Sequence, residues 1–380
     1  MNAFLLNTKV FKKISHIAII SITLLFGSSI FAQQKLEITR AGKASVKIGL
    51  NAYSFTKPLL DFAKGRGSAE SGMSLFQLMD WSAEQGFDAV DLTAYFFPGY
   101  PEVPTDEFIN SVKKHAHFLG LDISGTGVRN NFADPDPAKR ADDVKHVKEW
   151  IDVASKLGAP VIRIFAGPVP EGYENKWNEV AKYMAESMRE CAAYGKLKGV
   201  LVGVQNHGDF LKTADETIKL VKMVNSDWFG IIVDTGYFIT EDPYVDIEKV
   251  MPYAVNFQLK ESAFGAASSV KIDLPRIMDI VKRTGYRGYL PIETLSPMGG
   301  NKKKKEEAAA ATSQKTERVG SSGKSSGSGK SGGGKKTEGT AAQTATSSGA
   351  KQARPDYDPF IQAPAFLAKV KAAQKAAFNQ

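Results

Sequence analysis

The sequence contains a single cysteine, Cys191, in 380 residues, and this scarcity excludes several classes of protein. One cysteine cannot form an internal disulfide, and zinc sites built on paired cysteines are excluded with it. Cys191 lies among Met188, Ala192 and Ala193 on a helical pattern, so we interpret its thiol as part of the core.

Several sequence motifs with a known chemistry are also missing. No Gly-x-Gly-x-x-Gly follows the first predicted strand, which argues against a dinucleotide-binding sheet. The sequence has neither a nucleophile elbow nor a Gly-rich loop that would cradle phosphate. A phosphorylated substrate therefore gains no support from the sequence.

The excess of basic residues is confined to two segments. Residues 301–354 hold twelve Lys or Arg and four Glu, which equals the net charge of +8 for the whole chain. Residues 1–32 add three lysines, so the remainder carries −3. A mildly acidic folded body has no basic face for DNA or RNA, and we expect no nucleic-acid partner.

The first 32 residues have the composition of a secretory signal. Basic Lys9–Lys13 is followed by an apolar run to Phe31 and by Ala32 at the expected cleavage point. We therefore expect a periplasmic or secreted protein with no stable membrane insertion after cleavage. A retained membrane anchor is the alternative, although the run is near the lower length limit for a span.

Strand-like and helix-like segments alternate from Val46 onward. The predicted strands are Lys47–Phe55, Ala89–Ala94, Asp122–Gly125, Val161–Ala166, Val200–Gln205, Gly230–Asp234, Val255–Lys260 and Tyr289–Glu293. The predicted helices between them are Ser74–Gln85, Thr105–Leu119, Pro137–Leu157, Glu174–Leu197, Ala214–Val224, Asp246–Pro252 and Leu274–Thr284. Eight such units predict an α/β fold, a closed (β/α)8 TIM barrel, with an open doubly wound sheet as the alternative.

A long low-complexity segment separates the eighth strand from the last helix. Residues 40–298 are predicted to hold the eight strands, and 356–380 to form the helix that completes the barrel. Residues 299–355 are rich in Gly, Ser, Lys and Ala and cannot bury a core, so we predict a disordered basic insertion. It is interpreted as a solvated linker, with a binding arm for an acidic polymer or membrane as the alternative.

Four apolar strands end abruptly in polar side chains, which are Gln205, Asp234, Gln258 and Glu293. In a barrel of parallel strands these ends converge on the face that carries active sites. Oxygen ligands without cysteine suit Mn²⁺ or Mg²⁺, so the four residues are candidate metal ligands. The alternative is that they only hydrogen-bond the loops above the barrel.

These strand ends resemble the sugar phosphate isomerase/epimerase family, the xylose isomerase-like barrels that also include endonuclease IV. The similarity lies in Gln205-Asn206-His207, Asp234-Thr235-Gly236, Gln258-Leu259-Lys260-Glu261 and Gly285–Tyr289 leading into Glu293. The resemblance implies a barrel in which Glu, Asp, His and Glu bind a metal and the two Glu move protons. Asp234 and Glu293 match that pattern, whereas Gln205 replaces a Glu and Gln258 replaces the His.

The two glutamines limit the chemistry that the resemblance implies. An amide cannot serve as a base, so Glu293 is the one remaining carboxylate base and one-base enolisation is favoured over two-base epimerisation. His207 is a further catalytic candidate because its ordinary pKa suits proton transfer. Lys260 is expected to stabilise an oxyanion or, alternatively, to form a salt bridge with Asp234 or Glu261.

Other inward-facing polar positions complete the predicted site. The substrate-binding candidates are Asn51, Tyr53, Asp91, Arg163 and Asn206. The predicted function is an exported metal-dependent isomerase or epimerase that enolises an unphosphorylated sugar or keto-sugar. A keto-glycoside lyase or hydrolase using the same enolate and a non-catalytic carbohydrate-binding barrel are the alternatives, and the oligomeric state stays open.

Overall fold

Eight parallel strands close into a barrel in the computed structural model, which describes residues 36–65, 72–208, 210–261, 270–295 and 357–378. The strands are β1 Ser45–Asn51, β2 Ala89–Thr93, β3 Asp122–Gly127, β4 Val161–Phe165, β5 Leu201–Gln205, β6 Phe229–Asp234, β7 Ala254–Lys260 and β8 Arg287–Glu293. They are hydrogen-bonded in chain order, and β8 pairs with β1. The predicted (β/α)8 TIM barrel is confirmed. The predicted signal segment and insertion lie outside the described residues.

Helices surround the barrel and bury the outer face of the sheet. Those in the described ranges are α1 Thr56–Ala63, α2 Leu75–Glu84, α3 Asp106–Phe118, α4 Pro137–Leu157, α5 Trp177–Lys198, α6 Ala214–Val224, α7 Pro243–Val250, α8 Leu274–Arg283 and α9 Pro359–Phe378. Leu, Ile, Val and Phe side chains of both layers form one continuous hydrophobic core. None of the helices in these ranges is long and apolar enough to cross a membrane.

The last helix closes the ring between α8 and β1, as the sequence predicts. Lys282 Nζ of α8 donates to the Ala377 carbonyl at 2.9 Å, and Gln374 Nε2 donates to the Val46 carbonyl of β1 at 2.8 Å. Buried Phe366 and Val370 supply the apolar stripe of α9. The eighth helix position is thus filled by a segment that lies more than sixty residues beyond β8 in the chain.

The first strand is shorter than predicted. It ends at Asn51, because the Asn51 Oδ1 accepts a hydrogen bond from Tyr53 N at 2.8 Å and caps a short 3-10 helix at Ala52–Phe55. The sequence also missed α1, which follows immediately. A side-chain acceptor two residues before a free backbone N–H competes with strand pairing, so the prediction of a strand through Phe55 was wrong.

Strand register sets the heights of the polar strand ends. Asp234 of β6 lies opposite Gln258 of β7, and Lys260 lies opposite Glu293 of β8. Asn256 reaches across the barrel to the Ser124 carbonyl, and Gln258 and Lys260 follow it at two-residue intervals, so all three share the inward face. The carboxyl ends of β5 to β8 therefore meet at one mouth of the barrel.

Candidate functional site

A buried lysine lies between two carboxylates at the centre of this mouth. Lys260 Nζ is 3.3 Å from Asp234 Oδ2 and 3.4 Å from Glu293 Oε1. The three side chains are at most 4% exposed. The salt bridge to Asp234 was one of the expected alternatives. Glu261 takes no part, because alternation along β7 directs it outward, where Lys369 contacts it at 3.2 Å.

Asp234 is held by bonds to both of its carboxylate oxygens. Gly236 N donates to Oδ1 at 2.8 Å, and Gln205 Nε2 donates to Oδ2, the oxygen that also faces Lys260. Asn206 Nδ2 donates to the Asp234 carbonyl, and Asn206 Oδ1 accepts from Asp234 N, at 2.8 Å each. The Asn206 side chain is fully buried and helps to position Asp234, and its predicted substrate role stays a prediction.

Glu293 has one carboxylate oxygen without a partner. Oε1 faces Lys260, whereas Oε2 is buried and makes no hydrogen bond. Burial raises the pKa of this carboxyl, the Lys260 ammonium opposes that rise, and Asp234 adds to it. An unsatisfied buried oxygen costs free energy, and such atoms concentrate where a ligand or a reaction uses them. Oε2 of Glu293 is accordingly the strongest sign of function in the described residues.

Lys260 is fixed at its backbone as well as at its ammonium. Its N–H donates to Thr235 Oγ1 at 3.0 Å, and its Nζ lies 4.3 Å from the centre of the Tyr237 ring. Burial by itself lowers the pKa of Lys260, but Asp234 and Glu293 outweigh it and hold the pKa above its ordinary value. The two carboxylates therefore favour the charged ammonium form of Lys260.

The described side chains do not fit the predicted Mn²⁺ or Mg²⁺ site. No group of three or more His, Cys, Asp or Glu within the described residues could hold a metal ion. Gln205 turns its NH2 group, a donor, toward Asp234, and the Lys260 ammonium neutralises one of the two carboxylates. A divalent ion within about 4 Å of that ammonium would meet a repulsion on the order of 8 kcal/mol at an effective dielectric of ~20.

His207 lies at the rim of the mouth and not at its centre. Its ring packs 4.2 Å from the Tyr237 ring and 4.9 Å from the Phe165 ring, measured between centroids, and the residue is half-buried. Gly208 follows with φ +77°, and a Cβ there would lie 3.0 Å from Tyr237. This turn lets the loop approach Tyr237, whose ring contacts both His207 and the Lys260 ammonium.

Arg163 lies on β4, the strand that pairs with β5 next to His207. Its Nη2 donates to Tyr95 Oη at 3.0 Å, and its guanidinium stacks 4.2 Å from the centre of the Phe165 ring. Gly127 of β3 makes room for it, because a Cβ at this position would lie 2.6 Å from Arg163 Nε. Arg163 is half-buried and remains open to a ligand.

Asp91 lies lower on the inward face, below Arg163. Ser124 Oγ donates to its Oδ2 at 3.3 Å. Burial raises the pKa of Asp91 to about 6, while Arg163 and the Ser124 hydrogen bond act against the rise. The ionised form of Asp91 is thus only weakly stabilised, and the carboxyl takes up a proton near pH 6.

The remaining predicted residues are near the site, with roles that stay predictions. Asn51 is buried and caps the turn after β1, whereas half-buried Tyr53 packs edge-on against Tyr95 at 6.5 Å. Gln258 is 7% exposed and faces inward between Asn256 and Lys260. The structure therefore brings every predicted site residue to the barrel mouth or its floor.

Three contributors were missed from the sequence. Tyr237 covers Lys260, Phe165 stacks on Arg163, and Thr235 anchors the backbone of Lys260. Tyr237 and Thr235 directly follow Asp234 at a strand end, and Phe165 ends β4. Their position after a buried strand was a usable signal, whereas their contacts depend on loops from different strands.

The closed barrel with polar strand ends at one mouth defines the class of protein as a TIM-barrel protein with its site at the C-terminal face. The family model described as "Xylose isomerase-like TIM barrel" matches residues 79–315, which is more than half of the chain. The chain therefore belongs to the xylose isomerase-like TIM barrel family. No curated protein matches it in sequence.

Solved structures of similar fold include several sugar epimerases. A D-psicose 3-epimerase from Clostridium cellulolyticum H10 with D-tagatose aligns with a TM-score of 0.54 at 21% identity, covering 67% of this chain and 87% of that one. An L-ribulose 3-epimerase gives 0.58 at 15% identity over 88% and 96% of the two chains. A 3-keto-D-glucoside 4-epimerase from E. coli gives 0.51 at 13% over 70% and 100%. At these identities the likeness establishes the fold.

Proposed function

We propose that the protein is a sugar isomerase or epimerase-like enzyme that enolises an unphosphorylated sugar or keto-sugar next to its carbonyl. The observation that carries this proposal is the unpartnered Oε2 of Glu293 beside the fixed ammonium of Lys260. A base next to a cation is the pair that enolisation requires. The sugar epimerases of similar fold support the class of substrate.

Glu293 acts as the base and Lys260 as the electrophile. Oε2 takes the proton from the carbon beside the carbonyl, and the electron pair of that C–H bond becomes a C=C bond. The carbonyl π pair moves onto oxygen, where the Lys260 ammonium stabilises the negative charge. The raised pKa of Glu293 makes it a stronger base than an exposed glutamate. Asp234 keeps the ammonium in place.

The enolate then has two outcomes, both of which need only one base. Return of the proton from Glu293 to the former carbonyl carbon, while the proton of the neighbouring hydroxyl moves to the former carbonyl oxygen, completes an isomerisation. Departure of a group on the carbon β to the carbonyl, which takes the proton held by Glu293, completes an elimination. Gln205 favours these outcomes over two-base epimerisation, because its amide bonds Asp234 and cannot accept a proton from the other face. The lyase or hydrolase is therefore kept as the second candidate.

The lining of the mouth suits a sugar ring. Half-buried Tyr53, Phe165 and Tyr237 present aromatic surface, and Arg163 offers a donor for hydroxyl groups. The predicted Mn²⁺ or Mg²⁺ takes no step in this mechanism, because Lys260 already neutralises one of the two carboxylates. We also propose export, supported by the composition of residues 1–32. The mass of the protein recovered from each cell fraction tests this proposal. A mature chain that lacks those residues is expected outside the cytoplasm.

Solvent exchange tests the reaction directly. The protein is incubated in deuterated water with unphosphorylated ketoses and 3-keto-glycosides, with the matching sugar phosphates as controls. Deuterium next to the carbonyl of an unphosphorylated sugar is expected, and cleavage in the same sample would identify the elimination. Exchange confined to sugar phosphates would contradict the substrate class. Saturable binding without any exchange would instead favour a carbohydrate-binding barrel.

A further inference from the structure

The cation at the centre of the site belongs to the chain itself. Lys260 Nζ is nearly equidistant from Asp234 and Glu293, at 3.3 and 3.4 Å. The Tyr237 ring covers it at 4.3 Å, and the residue is 3% exposed. The ammonium thus lies between Asp234 and Glu293, the two carboxylates that the described residues place within ion-pair distance of it.

The neighbouring groups are arranged around an ammonium and not around a metal ion. Gln205 directs its NH2 toward Asp234, so the amide adds a donor where a metal would need an oxygen. The backbone N–H of Gly236 donates to the other carboxylate oxygen of Asp234. Thr235 and the register with Glu293 fix the backbone of Lys260, which places its side chain at this point. A flexible surface lysine would have none of these restraints.

We propose that the ammonium of Lys260 holds the place of a divalent cation, so that the site works without a metal and becomes a metal site when Lys260 is removed. Truncation to alanine leaves two buried carboxylates facing one vacated position, and a divalent cation bound there would offset the repulsion between the two like charges. Where it concerns catalysis the inference rests on the proposed function. Metal binding can be measured without any substrate.

Metal content and thermal unfolding of the full chain test this inference. The wild type and Lys260→Ala are compared in EDTA and in 1 mM MnCl2. Lys271→Ala serves as the matched control, because Lys271 is 71% exposed and only 3.8 Å from Glu261 at the surface. The double variant Lys260→Ala/Asp234→Asn removes one of the two carboxylates.

The wild type and Lys271→Ala are expected to retain no stoichiometric Mn²⁺ and to shift in Tm by less than about 1 °C between the two conditions. Lys260→Ala should lose roughly 5–10 °C in EDTA, regain at least half of that loss in MnCl2 and bind about one Mn²⁺ per chain. The double variant should lose the Mn²⁺ response.

One tightly bound Mn²⁺ per wild-type chain would overturn the inference, and so would a folded Lys260→Ala that ignores Mn²⁺. If Lys260→Ala folds only in MnCl2, that is the expected result in its strongest form. If Lys260→Ala folds in neither condition, the Mn²⁺ content of the wild type decides: no bound ion supports the inference, and one tightly bound ion overturns it. Failure of the proposed reaction would appear as lack of sugar exchange and would leave these readings unchanged.

Discussion

The ammonium of Lys260 lies 3.4 Å from Oε1 of Glu293, while Oε2 of the same carboxylate is buried without a partner. One side chain thus carries both a stabilised oxygen and an unsatisfied one. The ion pair stabilises a carboxylate in a buried site, and the second oxygen of that carboxylate has no hydrogen-bond partner. This division is the physical basis of the reaction we propose.

Adding a third carboxylate at Gln205 should destabilise the protein. In Gln205→Glu, a carboxylate replaces the amide NH2 that donates to Asp234. Two negative charges are then in contact, and Lys260 can neutralise only one of them. We expect a loss of about 3 kcal/mol in the free energy of unfolding at pH 8, measured in urea, which shrinks at pH 5 as the new carboxyl is protonated. Gln205→Met, which removes the same donor without adding a charge, is the control. An unchanged midpoint for Gln205→Glu would show that the amide does not act as a donor to Asp234.

Asp91 should make stability depend on pH between about 4 and 6. Its pKa in the folded protein is about 6, above its ordinary value of 3.8, so the native state keeps a proton that the unfolded chain releases. The free energy of unfolding therefore falls as pH rises through this window and is constant above it. The stability of Asp91→Asn should not show this dependence on pH.

The size of this dependence follows from the shift of pKa. Relative to the wild type, Asp91→Asn should gain up to about 3 kcal/mol between pH 4 and pH 7, since one pKa unit corresponds to ~1.4 kcal/mol. Urea midpoints of the two proteins at pH 4, 5, 6 and 7 measure it. A constant difference across the series would mean that Asp91 has an ordinary pKa.

Gly127 should be essential for the position of Arg163. A Cβ at 127 would lie 2.6 Å from Arg163 Nε, so Gly127→Ala forces the guanidinium away from Tyr95 and Phe165. We expect a loss of about 1–3 kcal/mol in stability, typical of overpacking, and weaker sugar binding. Gly49→Ala is the matched control on β1, where the nearest atoms lie at 3.4 Å. Equal effects of the two changes would show that Arg163 adapts.

Residues 301–354 should be dispensable for folding and chemistry. Tyr357, which follows them, donates its hydroxyl to the carbonyl of Thr294 at 2.6 Å, so the described residues on the two sides of this part of the chain lie close enough for a short link. Replacement by a short Gly/Ser link should leave Tm and turnover nearly unchanged, because loop closure entropy varies slowly with length. By contrast, Tyr357→Phe, which removes that hydrogen bond, should lower Tm by a few degrees. A large loss of Tm on excision would show that the segment packs on the barrel.

The barrel was predictable because its signals are local. Apolar runs that stop at Gln205, Asp234 and Glu293 are written in consecutive residues, and parallel strands bring such ends together whatever the loops do. The end of β1 was mispredicted because one side chain, Asn51, caps a turn within an otherwise strand-like run. The domain boundaries at the signal segment and the insertion remain predictions, as does export.

The centre of the site could be predicted only in part. Glu261 could have been discounted as a partner of Lys260, since adjacent strand residues face opposite sides. The contact with Glu293 depends on the register between β7 and β8, and the donor role of Gln205 depends on where Asp234 lies. Both are properties of strand pairing across distant parts of the chain, which one sequence does not reveal.

The most direct test compares two variants of the same centre, each of which changes one carboxylate into an uncharged amide. Glu293→Gln removes the base and leaves Lys260 paired with Asp234, whereas Asp234→Asn keeps the base and loosens the ammonium. Deuterium incorporation next to the carbonyl is measured for both variants and the wild type in EDTA, with the best substrate of the sugar panel. We predict that Glu293→Gln exchanges at least about 10²-fold more slowly than Asp234→Asn, the usual contribution of a positioned base. Equal rates for the two variants would contradict Glu293 as the base and would transfer that role to His207.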